Sequence, residues 1–189
     1  PEKAGDQESF KDLSPTSVSV AGHLAHRYII VTVGDDLLLV DQHRAAERVL
    51  LHKMRTNDGP VPMQLLAVPL TPDLSVQEVA AIEDYREDLK DLGFTFEEFG
   101  PDSYMVSSIP AAMIGGSDEQ MVQELLRDLA EWSSPSSLER VREQLRAKVA
   151  CHGAIKAGET LSEAEMQRLV SDLLETEAPA VCPHGDPII

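Results

Sequence analysis

The chain has 189 residues, 42% hydrophobic and only 4% aromatic, enough for one substantial domain or two small ones whose core rests on Leu, Val, Ile and Ala. Its formal net charge of -17 opposes docking on nucleic-acid phosphates, so a DNA-directed role needs another domain or partner to bring the DNA in. No apolar run reaches the roughly 18 residues of a membrane span. Two cysteines, Cys151 and Cys182, make no disulfide framework and point to a reducing, cytoplasmic compartment with both thiols available as ligands.

Residues 1–16 are polar and without period, and read as a linker remnant; the start at Pro1 reads as an excised piece of a longer protein. Tyr28–Val33 is β-branched and aromatic, a strand, followed by a Gly34-Asp35-Asp36 turn and a second strand, Leu37–Val40. The second strand is apolar at every position, which predicts cover on both faces. Asp41 stands at its end, before a helix to about Met54 that Asn57-Asp58-Gly59-Pro60 stops.

Ser75-Val76-Gln77-Glu78 has the form of a capping box, and Val79, Ile82, Leu89 and Leu92 keep helical spacing up to a Gly93 cap. Phe94–Phe96 and Tyr104–Val106 read as strands joined through Gly100-Pro101-Asp102. Ser117 to Gln120 is a second capping box, opening a helix through Met121, Leu125 and Leu129, which Trp132-Ser133-Ser134-Pro135 closes. A third capping box, Ser136 to Glu139, starts a helix with Val141, Leu145 and Val149 on one face; Gly153 falls inside its pattern and Gly158 near its end. Leu161–Leu174 is amphipathic, and Pro179–Ile189 extended. The sum is an α+β chain in which 60–132 is inserted into a unit made of 17–59 and 133–189.

Three segments carry chemistry. His43 and Glu47 are four apart, on one face of a helix beginning near Gln42, with Asp41 just before it. Cys182 and His184 flank a turn stiffened by Pro183 and released by Gly185, and Cys151 sits on an apolar-spaced helix. Carboxylate, imidazole and thiolate are the ligands that Zn²⁺ and similar ions take. Each piece also has an ordinary role: Asp41 as a helix N-cap, His43 and Glu47 as an exposed helix pair, Cys151 as a small buried residue. The residue types alone leave both readings open.

Asp41-Gln42-His43-Arg44-Ala45-Ala46-Glu47, Ala150-Cys151-His152 and Cys182-Pro183-His184-Gly185 resemble, in order and spacing, three motifs of the MutL C-terminal domain family, the dimerisation and endonuclease region of DNA mismatch-repair proteins. His26 to Asp41, Leu92-Gly93-Phe94 and Lys156-Ala157-Gly158 agree as well, so the resemblance runs from about Ser17 to the C-terminus. It implies a metal site of Asp41, His43, Glu47, Cys151, Cys182 and His184, with Asp41, His43 and Glu47 catalytic in the metal-dependent nicking of duplex DNA. Zn²⁺ would organise or regulate the site, and Mn²⁺ or Mg²⁺ would support turnover. The first-plus-last unit would be the dimerisation subdomain and 60–132 a regulatory one.

Implied partners are a second copy of the chain, DNA held weakly, the sliding clamp, the mismatch-recognition protein MutS and an N-terminal ATPase region. Gln64-Leu65-Leu66-Ala67-Val68-Pro69 resembles the family's clamp-binding segment, with Gln64 at a pocket rim and Leu66, Val68 and Pro69 in apolar pockets; an ordinary strand is the alternative. The chain departs from the pattern at Arg44, where Ala is usual; at His52, where a second Glu often stands; and at His152 and Asp186, where Arg is common. These departures leave a rival, a non-catalytic dimerisation module with a structural metal, and a more distant one, an unrelated zinc hydrolase.

Overall fold

The computed structural model describes residues 18–56, 61–114, 118–132 and 138–189. The expected linker, the Asn57–Pro60 stop, Ser133-Ser134-Pro135 and the capping residues Ser117 and Ser136 lie outside them. The architecture is α+β: two three-stranded antiparallel sheets and six α-helices among the described residues. The chain divides into two compact units, Pro1–Lys53 with Ala154–Ile189, and Met54–Gly153.

In the first unit, β1 (Val18–Leu24), β2 (Tyr28–Val33) and β3 (Asp36–Asp41) form a meander in that order. The turn between β1 and β2 places Ala25 and His26 at φ 53° and 50°, the left-handed pair of a type I′ hairpin, and Arg27 N–H closes it on the Leu24 carbonyl at 3.1 Å. One sheet face (Val18, Ile29, Val31, Val40) is buried with helix α1 (Gln42–Thr56), through Ala45 and Val49, and with helix α6 (Glu163–Leu174), through Met166, Leu169, Val170 and Leu173. On α6, the Gln167 amide accepts from Val20 N–H and donates to the Val18 carbonyl, both at 3.1 Å, and so covers part of the free edge of β1. On the other face Leu24, Leu37 and Leu39 are exposed by 49%, 63% and 43%. Cover on both faces of β3, predicted from its composition, is therefore present on one face only among the described residues.

Ser162 caps α6 in a capping box: its hydroxyl and N–H both donate to the Glu165 carboxylate, at 2.6 and 2.8 Å. These donors hold the Glu165 carboxyl below its ordinary range. Such a group adds stability above its unfolded-state pKa and loses it as pH falls through the folded value, so acidification weakens the start of α6. Ser162→Ala is expected to raise the Glu165 titration midpoint towards an ordinary carboxylate, read by NMR; an unmoved midpoint would deny the Ser162 contribution.

The second unit holds a sheet of order β4 (Met63–Leu70), β6 (Ser103–Pro110), β5 (Thr95–Gly100), with helices α2 (Val76–Asp84), α3 (Arg86–Asp91), α4 (Asp118–Trp132) and α5 (Leu138–Gly153). Ser75 and Glu78 form the predicted capping box. The single helix expected beyond them is two, interrupted at Tyr85 (φ -114°, ψ 21°), whose ring is buried in the core beside Ile82 and Leu89. Val141, Leu145 and Val149 of α5 pack in this same core, so the compact unit ends at Gly153 rather than at Trp132. The helix also stops at Gly153, where the pattern predicted continuation to Gly158; the next carbonyls, of Ile155 and Lys156, accept side-chain hydrogen bonds instead.

Gly93 ends α3 at φ 94° in a Schellman arrangement, with Gly93 N–H on Lys90 and Phe94 N–H on Leu89, both at 2.9 Å. A Cβ there would stand 3.3 Å from Met63 Cβ and Pro110 Cα. Gly93→Ala is expected to destabilise the domain by about 1–3 kcal/mol through backbone strain and crowding, seen as a lower denaturant midpoint. An unchanged midpoint would contradict that geometry.

Candidate metal centre

Asp41 closes β3, where its N–H donates to the Ile188 carbonyl at 2.8 Å. Its Oδ1 accepts from the N–H groups of His43 (3.1 Å) and Arg44 (3.2 Å), so the N-cap role is realised, and Oδ2 faces Arg27 Nε at 3.4 Å. The helix so started brings His43 Nε2 within 3.4 Å of Glu47 Oε1, one turn on. Glu47 is only 3% exposed, so this is no solvated surface pair. His43 Nδ1 lies 2.7 Å from the Ile155 carbonyl, which can only accept; Nδ1 therefore carries a proton, and in the neutral ring Nε2 turns a lone pair on the carboxylate. Two facing lone pairs repel unless a proton or a cation lies between them.

The second arm is a hairpin, not the extended segment predicted. Val181 bridges Pro187, Ile188 N–H donates to the Ala180 carbonyl, and Cys182 N–H donates to the Asp186 carbonyl, the last two at 2.8 Å. At its tip Gly185 N–H reaches the Cys182 carbonyl at 3.0 Å across Pro183 and His184, with Gly185 at φ 89°. This turn folds His184 back beside the buried Cys182: Nδ1 is 4.0 Å from Cys182 Sγ and 3.8 Å from Glu47 Oε2.

Glu47, Cys182 and His184 thus offer ligand atoms within 4.8 Å of one another, a group that could hold a metal ion. Zinc bonds of about 2.0–2.3 Å put the corners of a tetrahedron about 3.3–3.8 Å apart. The 3.8 Å between His184 Nδ1 and Glu47 Oε2 already meets that spacing, and the wider separations, up to 4.8 Å, need about 1 Å of contraction.

Asp41 and His43 line the same cavity of about 310 Å³ as the three grouped residues. Arg27, Arg44, Ala157 and Asp186 complete its wall. Cys151 is on α5 of the second unit, half-buried, outside this group; His152 is there too, its Nε2 4.0 Å from Glu124. Asp186 pairs with Arg44 at 3.6 Å rather than joining the grouped ligands.

Sequence reasoning missed Arg27, the Ile155 carbonyl and the role of Gln42. The buried Gln42 amide donates to the Lys156 and Glu159 carbonyls at 3.1 and 3.0 Å and lies 2.7 Å from His23 Nε2, which pins the loop beside Ile155. Only the placement of a polar Gln at the first turn of an inward-facing helix hinted at it. In the second unit, Gln64, Val68 and Pro69 are exposed on β4, an edge strand whose pairing with β6 is interrupted between Leu65 and Leu70, while Leu66 is partly buried against that unit's core.

The MutL C-terminal dimerisation domain model matches residues 21–161, a span that includes Asp41, His43, Glu47 and Cys151 and stops before Cys182 and His184. Among similar proteins, the DNA mismatch repair protein MutL of Methanothrix thermoacetophila is 36% identical over 186 residues, 94% of this chain and 32% of the relative. That of Methanoculleus marisnigri is 37% identical over 186 residues (97% and 32%), and that of Halalkalibacterium halodurans 36% over 170 (89% and 26%). The chain spans about a quarter to a third of the length of these curated relatives. Helices of membrane-spanning length and apolarity are absent among the described residues. With its two-sheet α+β architecture and a match over most of its length, the chain belongs to the MutL C-terminal dimerisation domain family.

Proposed function

We propose that this domain dimerises and nicks duplex DNA at a metal site built on Glu47, Cys182 and His184, as part of cytoplasmic mismatch repair. The observation that carries this reading is the buried Glu47 carboxylate turned on two imidazoles and grouped with a buried thiol, a donor set with little packing rationale and the right chemistry for Zn²⁺. Mn²⁺ or Mg²⁺ bound there would lower the pKa of a water and offset charge building on the phosphate oxygens. The chain's own residues supply the frame. Glu47 offers the hard carboxylate, and His43 is oriented by the Ile155 carbonyl so that Nε2 faces inward. Asp41 fixes the start of α1 and lines the cavity. Cys151 as a further ligand rests on the family resemblance.

A non-catalytic module with a structural metal is the second reading, favoured by the engagement of Asp41 as a cap and Arg27 partner. Plasmid nicking in Mn²⁺, compared with Asp41→Asn and Glu47→Lys, decides between them. Metal-dependent nicking lost in both variants supports the nuclease, and nicking no greater than the variants' supports the structural module.

The exposed face of the β1–β2–β3 sheet is the proposed seat of the second copy, because β3 is apolar on both faces and the described residues cover only one. The β4 edge is the proposed sliding-clamp segment; MutS and the ATPase region are the proposed partners that deliver DNA to so acidic a domain. Because Leu66 packs into the core, the clean variant is Gln64→Ala with Val68→Ala, expected to abolish clamp-stimulated nicking and leave the melting temperature unchanged. Undiminished stimulation would dismiss the clamp role.

A further inference from the structure

We infer that Arg27 and Arg44 form a phosphodiester-binding pair at the metal cavity, with the Asp186 carboxylate occupying the Arg44 guanidinium until a phosphate displaces it; this rests on the reading of the cavity as the nicking site. A chain of net charge -17 must supply positive charge locally if a phosphate is to approach its metal. Arg27 and Arg44 both line the cavity that Glu47, Cys182 and His184 share.

Each guanidinium is anchored yet keeps donors in reserve. The Arg27 Nε faces Asp41 Oδ2 at 3.4 Å, and its carbon sits 5.1 Å from the centroid of the Tyr28 ring, which holds the plane of the fork. Arg44 Nη1 donates to the Pro187 carbonyl at 2.8 Å, and Nη2 lies 3.6 Å from Asp186 Oδ2. A guanidinium carries five N–H donors, so these contacts leave capacity for a bidentate anion on either residue.

Asp186 is the replaceable partner. Its side chain is 59% exposed and its separation from Arg44 is long, so the pair is worth little and the two non-bridging oxygens of a phosphodiester, accepting from the guanidinium, can take its place. The cavity wall carries two guanidiniums against three carboxylates, a formal charge of -1 with neutral imidazoles and thiol. A divalent cation held in part by the Cys182 thiolate raises that to about 0, so phosphate binding at this pair is coupled to metal loading. Arg44 on α1 and Asp186 in the C-terminal hairpin are far apart in sequence, and the structure places the two beside each other.

The test is fluorescence anisotropy of a labelled DNA duplex across a salt series, with and without Mn²⁺, using the whole chain. With Mn²⁺, Arg44→Ala is expected to weaken binding about tenfold and to lower the salt slope by about one, with Arg44→Lys restoring the slope. Asp186→Asn is expected to act in the opposite direction, tightening binding about two- to fivefold. Without metal both effects shrink. A purely structural Arg44 would leave the slope unmoved and give Asp186→Asn no gain, and either result overturns the pair. A parent that shows the binding pattern but never nicks overturns the nuclease reading alone; a parent that nicks while Arg44→Ala binds like it overturns the pair alone.

Discussion

Glu47→Gln is expected to invert its effect on stability when metal is added. In the metal-free chain the wild-type carboxylate is 3% exposed, and its oxygens face His43 Nε2 and His184 Nδ1. Burying a carboxylate costs several kcal/mol unless a positive group answers it, so the neutral isostere should leave the melting temperature unchanged or raise it. In zinc the order reverses. A ligand that binds only the folded state stabilises by about 2.7 kcal/mol at a hundred times its dissociation constant, and a chain lacking Glu47 forgoes most of that. Loss of a group directly on the metal should weaken affinity by at least about 100-fold, since even outer partners of a ligand cost 10- to 100-fold. Thermal melts of both proteins with and without zinc read the reversal. Equal zinc stabilisation of parent and variant would remove Glu47 from the site.

The second large effect is on assembly. Leu37 and Leu39 stand on the outer face of β3, next to Ile30 and Thr32 of β2 in the sheet register. Leu24 lies on the same face at the other end of the meander. Burying two leucines on a partner stabilises by about 3–6 kcal/mol, a factor of about 10²–10⁴ in the dissociation constant. Leu37→Asp with Leu39→Asp is expected to shift the chain to monomer at micromolar concentration, by light scattering, with its circular dichroism unchanged. A parent that is itself monomeric there, or a variant that stays dimeric, would refute this interface.

Much of this site was legible because its elements obey local rules. The 3.6-residue period places His43 under Glu47, and the Pro183–Gly185 pair dictates a tight turn between Cys182 and the chain's end. What local rules could not supply was the closure of that turn into a hairpin and its docking through Ile188 onto Asp41, a contact across most of the chain. Strand β1 escaped notice because its hairpin turn uses Ala25 and His26 where Asn-Gly would have announced it. The break at Tyr85 escaped because a large ring seeking the core overrides helical spacing. The capping box at Ser162 was written in the same Ser-x-x-Glu form as that at Ser75 and could have been read. The Ile155 carbonyl could not, since backbone acceptors carry no residue signature.

Asp186 illustrates the difference that structure makes. From the sequence it stands only where the resemblance leads one to expect an arginine; in the fold it sits against Arg44, with Arg27 on the same cavity wall.

The central claim, that Glu47, Cys182 and His184 hold a metal ion, is tested most directly by the zinc content of the dialysed chain. At least equimolar zinc is expected in the parent, with loss on combined replacement of the three residues by Gln, Ser and Ala. A parent that keeps no more zinc than the triple variant would contradict it.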